Sequence, residues 1–103
     1  MNFDIMHRFG SCERNPPLAR LADLYAELAA EDPEHPDVAV SHESGWTLSA
    51  FSDGTLVWED AESEGPGRHL KGVSREKVLD LWTKLSAGDL ASIEREPWLD
   101  GYP

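Results

Sequence analysis

The chain has 103 residues, 40% of them hydrophobic, which suits one domain with a single modest core. Twenty acidic residues against nine basic ones leave a net charge of −11, which argues against a nucleic-acid binder or an anionic membrane surface as partner. No apolar run approaches a membrane span or a signal-peptide core, so a cytoplasmic location is expected, and the lone Cys12 excludes a disulfide framework or a cysteine metal cluster.

Met1 to Phe9 alternates weakly, with Phe3, Ile5, His7 and Phe9 against Asp4, Met6 and Arg8, as in an edge strand or an ordered arm. Gly10 to Asn15 reads as a loop. Asn15 before Pro16 suits an N-cap with proline at the first helical position. A helix is then expected from about Pro17 to Ala30, with Leu18, Leu21, Ala22, Tyr25, Leu28 and Ala29 as its core stripe. Asp23, Glu27 and Glu31 recur four apart on its exposed flank, and Pro33 and Pro36 end it.

Asp37 to Glu59 is the organising stretch. Its two turns, Glu43-Ser44-Gly45 and Ser52-Asp53-Gly54, each have three residues ending in glycine, as in a type I turn closed by a G1 bulge. That loop length pairs Val40 with Leu48, Val38 with Ala50, Ala50 with Leu56 and Leu48 with Trp58. Val38, Val40, His42, Trp46, Leu48, Ala50, Leu56 and Trp58 then share one face. Ala39, Ser41, Glu43, Thr47, Ser49, Phe51, Thr55, Val57 and Glu59 share the other, where Phe51 and Val57 form an apolar island. A two-residue hairpin would scramble both faces.

The acidic stretch Glu59 to Gly67 reads as a mobile loop, followed by a fourth strand over Arg68 to Val73. Ser74 is a good N-cap for a helix from Arg75 to about Ala87, with Val78, Leu81, Trp82 and Leu85 inward and Gly88 as its stop. Asp89 caps a short helix to Arg95, after which Trp98 and Leu99 tuck against the body. The expected fold is α+β, an antiparallel meander of three to four strands with two main helices and a short C-terminal one on one face.

No catalytic residue or cofactor is assigned. Ser44 lacks the G-x-S-x-G frame of a nucleophile elbow, and Gly65-Pro66-Gly67 lacks the lysine and helix of a phosphate loop. His7, His35, His42 and His69 show no metal-ligand spacing. His42, on the apolar face beside Trp46, is the histidine to weigh. A metal site joining His35 or His42 to Glu43 and Asp37 would make this a metal- or small-molecule-binding protein, or a minor hydrolase.

Charge gives the strongest functional signal. From Leu21 to Gly67 there are 12 acids and no Lys or Arg, whereas Arg68 to Lys84 holds five bases against two acids. The reading preferred here is a non-enzymatic domain that binds a basic protein. Asp23, Glu27, Glu31, Glu59, Asp60, Glu62 and Glu64 form the acidic surface, and Trp46 or Phe51 supplies an apolar anchor. In size, charge and α+β content such a chain resembles the immunity proteins, small acidic bacterial proteins that neutralise basic toxin domains, although no motif carries the resemblance. A third reading is a dimeric accessory protein whose polar sheet face pairs with itself.

Overall fold

The computed structural model describes residues 2–8, 10–29, 37–60 and 67–102. Its strands are β1 (Phe3–Met6), β2 (Cys12–Arg14), β3 (Asp37–His42), β4 (Trp46–Phe51), β5 (Leu56–Asp60), β6 (Arg68–Leu70) and β7 (Leu99–Asp100). Its helices are α1 (Arg20–Ala26), continued by a 3-10 turn over Glu27–Ala29, then α2 (Arg75–Ser86) and α3 (Leu90–Glu94). Among the described residues the strands form one antiparallel sheet in the order β2-β1-β3-β4-β5-β6-β7. The α+β class stands, but seven strands replace the expected three or four.

The centre of that sheet follows from its two turns. Gly45 and Gly54 adopt φ values of 96° and 87°, and their N–H groups donate to His42 O at 2.9 Å and Phe51 O at 3.1 Å. A side chain with a Cβ disfavours that left-handed region, so glycine ends each turn. The resulting register is the expected one, with Val40 opposite Leu48, Leu48 opposite Trp58 and Ala50 opposite Leu56.

Continuing that register gives one row across the whole sheet: Glu13, Ile5, Val40, Leu48, Trp58, Arg68 and Asp100. Its apolar middle is fully buried, and its charged ends mark the sheet's two margins. Against this face pack Leu21, Leu24 and Leu28 from the first helical segment, Val78, Leu81, Trp82 and Leu85 from α2, and Ile93 from α3. Trp82 fixes α2 to β4 by donating its indole N–H to Leu48 O at 3.0 Å.

A second row, Cys12, Met6, Ala39, Ser49, Val57, His69 and Leu99, lies on the opposite face. This face was expected to be open, yet Ala39, Thr47, Ser49, Thr55 and Val57 are all buried. Ala39, Thr47 and Ser49 are short, and they line a cleft of about 500 Å³ together with Met6, His7 and Glu59. Val57 is only 4% exposed and offers no apolar island with Phe51.

The first helix is shorter than its apolar spacing suggested. Leu18 is 54% exposed and precedes α1, Ala29 is exposed, and Leu24 takes the buried place on the inner face. Asn15 is not the N-cap. It adopts φ 48°, and its side-chain Oδ1 accepts from Phe3 N at 2.9 Å while its own N–H donates to Phe3 O at 2.7 Å. Asparagine tolerates this conformation, and here it extends the pairing of β1 with β2. Ala19 begins α1 without a side-chain cap. The expected helix end at Ala30, Pro33 and Pro36 and the acidic loop at 61–66 lie outside the described residues.

The later elements match their signals better. Ser74 Oγ accepts from Lys77 N at 3.3 Å to cap α2, and the Asp89 side chain accepts from Ser92 N at 3.3 Å to cap α3. Leu99, however, enters β7 and is 53% exposed instead of tucking inward.

Candidate functional site

Strand direction sorts the predicted site residues into two groups. Trp46 lies opposite Asp60 and Thr47 opposite Glu59, at the end of the sheet that carries the Glu43-Ser44-Gly45 turn. Phe51 lies opposite Asp37, at the other end of the same strands. A strand of this length separates the two ends by about 17 Å. Glu31, Glu62 and Glu64 lie outside the described residues.

Asp23 and Glu27 do not join the Trp46 end. Asp23 on α1 accepts from Arg20 at 3.0 Å. Glu27 accepts from the backbone N–H of Arg8 at 3.2 Å and contacts the His7 ring at 2.5 Å. Glu59 lines the cleft that His7 also borders.

The Trp46 end is built on stacked aromatic rings. Trp46 and Trp58 lie 4.6 Å apart at 17°, and Trp58 and Trp98 lie 6.1 Å apart at 17°. Trp58 is wholly buried, whereas Trp46 and Trp98 are half-buried. The Arg68 guanidinium sits over Trp46, 5.9 Å from its centroid. Glu94 Oε1 accepts from Arg68 at 2.7 Å and from the Trp58 indole at 2.9 Å. The Arg68 hydrogen bond holds the Glu94 carboxyl below its ordinary range, with the Trp58 bond assisting and burial opposing.

Across β5, Glu59 accepts from the Tyr102 hydroxyl at 2.6 Å, and that bond raises the phenol above its ordinary range. The ring of Tyr102 crosses Gly67, where a Cβ would lie 3.1 Å from Tyr102 Cε1. Glycine there leaves room for the Tyr102 ring. The arrangement combines half-buried aromatic surface with carboxylates at its rim, the chemistry of recognition of cationic side chains.

His42 is buried at the end of β3. Its Nδ1 accepts from Ser44 N at 3.1 Å and lies 2.8 Å from Ser44 Oγ, while Nε2 is buried without a hydrogen-bond partner. An Nδ1 that accepts a backbone N–H leaves the proton of the neutral ring on Nε2. Asp37 stands at the far end of β3 from His42, and His35 lies outside the described residues. Among the described residues no three His, Cys, Asp or Glu side chains are grouped to hold a metal ion. On the face read for self-pairing, Val57 is buried and Phe51 is half-buried at the sheet end.

Compared with known proteins, the chain matches no protein-family model, no curated protein and no solved structure.

One cluster escaped sequence reasoning. His7, Glu13, Glu27 and Arg20 meet beside the cleft, from the hairpin tip after β1, from β2, from the 3-10 turn and from α1. No local spacing announces it, since its members are drawn from four separate elements.

Proposed function

We propose that this chain is a non-catalytic module that binds a basic protein through the Trp46 end of its sheet. One observation carries the reading: half-buried Trp46 lies directly across from Asp60, on the same face of the sheet. Glu43 adds an exposed carboxylate in the adjoining turn, and Asp100 adds another opposite Arg68. Arg68, the cation among these groups, is already paired with Glu94. Interfaces place most of their energy in a few aromatic or arginine anchors, and rim charges chiefly speed and orient encounter. Trp46 suits the first role and the carboxylates the second. Size and net charge agree with an immunity-type inhibitor of a basic protein, and Phe51 has no part in this surface.

The test compares two neutralised variants as bait in the protein's own cell lysate. One carries Glu43→Gln, Asp60→Asn and Asp100→Asn, and the other carries Asp23→Asn, Glu76→Gln and Asp80→Asn elsewhere on the surface. The reading expects one basic protein held at low salt, released at high salt, lost from the first variant and kept by the second. Equal loss from both would reduce the effect to net charge and overturn the assignment of this surface.

A further inference from the structure

His7 follows β1 and stands at the tip of its hairpin with β2. The backbone closes that tip, with His7 N–H donating to Ser11 O at 2.8 Å and His7 O accepting from Gly10 N at 3.0 Å. The ring lies between carboxylates from two other elements. Nδ1 is 2.5 Å from Glu27 Oε2 on the 3-10 turn, and Nε2 is 2.5 Å from Glu13 Oε2 on β2.

Both carboxylates are held from behind. Arg20 on α1 donates to Glu13 at 2.7 Å and is itself paired with Asp23 at 3.0 Å. The Arg8 backbone N–H donates to the other Glu27 oxygen at 3.2 Å, and the Arg8 guanidinium donates to Glu27 O at 2.6 Å. Asp37 shares the adjoining cleft with His7. The carboxylates are therefore fixed in position, and the ring between them has little freedom to choose its partners.

Ionised carboxylates only accept hydrogen bonds, whereas a neutral imidazole has a single N–H. Whichever nitrogen kept its hydrogen, the other would turn a lone pair toward a carboxylate oxygen at hydrogen-bonding distance. Only the doubly protonated ring donates to both. We propose that His7 is a proton-operated latch that fastens the tip of the β1–β2 hairpin to the end of the first helical segment. With its proton the ring bridges Glu13 and Glu27; without it the ring leaves that position and the tip is released.

The direction of the titration agrees. The Glu27 hydrogen bond raises His7 above its ordinary 6.5, Glu13 adds to this, and burial opposes it. A group raised by folding contributes stability that is fully present below its unfolded value and lost as pH rises through its folded one. The hold of the latch is therefore full below about pH 6.5, weakens above it, and is lost once pH passes the raised value of the folded state.

The test uses the whole chain labelled with nitrogen-15. Ring spectra at pH 6 should show both His7 nitrogens protonated, and the titration midpoint should fall in Glu27→Gln and, to a smaller extent, in Glu13→Gln. Hydrogen exchange of the Ile5, His7 and Glu13 amides, corrected for intrinsic rates, should lose up to about tenfold in protection per pH unit above the unfolded value. His7→Gln should abolish that pH dependence. A singly protonated His7 ring at pH 6 would overturn the proposal whatever the variants do. So would hairpin protection that does not change from pH 6 to 9, or an unchanged slope in His7→Gln.

Discussion

Trp58 and Glu94 are joined across the boundary between core and surface, a wholly buried indole N–H meeting a surface carboxylate at 2.9 Å. Glu94→Ala leaves that N–H without an acceptor and should destabilise the fold by about 1–3 kcal/mol. Glu94→Gln keeps an acceptor and should cost less. Urea denaturation of both variants checks this. The carboxyl is held low, chiefly by Arg68, so its contribution is present above the ordinary 4.5 and disappears as pH falls through the lower folded value. Wild type should lose stability over that acid interval more steeply than Glu94→Gln.

Leu24 and Leu18 should separate sharply. Leu24 is fully buried in the core and Leu18 is 54% exposed. Leu24→Ala should cost about 2–5 kcal/mol, through lost burial and the cavity left behind. Leu18→Ala should stay within about 0.5 kcal/mol of wild type. Thermal or urea unfolding of the pair measures the contrast, and equal costs would mean that the first helix is set differently.

Gly54 and Gly10 share a left-handed backbone but differ in their surroundings. A Cβ at Gly54 would lie 3.2 Å from Val73 N and 3.3 Å from Val73 O, whereas nothing lies within 4 Å at Gly10. Gly10→Ala should cost about 1 kcal/mol from conformation alone. Gly54→Ala adds a backbone clash beside the Val73 N–H to Gly54 O bond of 2.9 Å, and should cost more, about 2–3 kcal/mol. Denaturant midpoints at a common slope give the comparison.

Tyr102 reports on the Gly67 crossing. Its phenol is raised above 10.0, first by the hydrogen bond to Glu59 and then by that residue's charge. Glu59→Gln should lower its titration midpoint. Gly67→Ala, whose Cβ would meet the ring at 3.1 Å, should displace the tyrosine and lower the midpoint too. Ultraviolet titration of phenolate absorbance reads both. An unchanged midpoint in Gly67→Ala would show that the ring does not need the glycine.

The centre of this fold was legible because its signals are local. Two glycine-ended turns specify the β3–β4–β5 register, and the Ser74 and Asp89 caps begin their helices where expected. The margins were not. Cys12–Arg14 has no apolar alternation to read, and Leu99–Asp100 is only two residues long. Both are strands because a neighbouring strand offers them backbone partners, which is tertiary information. The first helix was misread because leucines at 18, 21, 24 and 28 satisfy helical spacing with either Leu18 or Leu24 on the inner face. The His7 cluster is assembled by the fold alone.

The sheet that joins all these parts narrows toward both margins, from six residues in β3 and β4 to three in β2 and two in β7. A strand arriving from another molecule would find room for only a bond or two on either side. Among the described residues these short edges disfavour growth of the sheet by adding strands, the route by which open sheets aggregate. Attachment through the described sheet then favours side chains, whose chemistry can be selective.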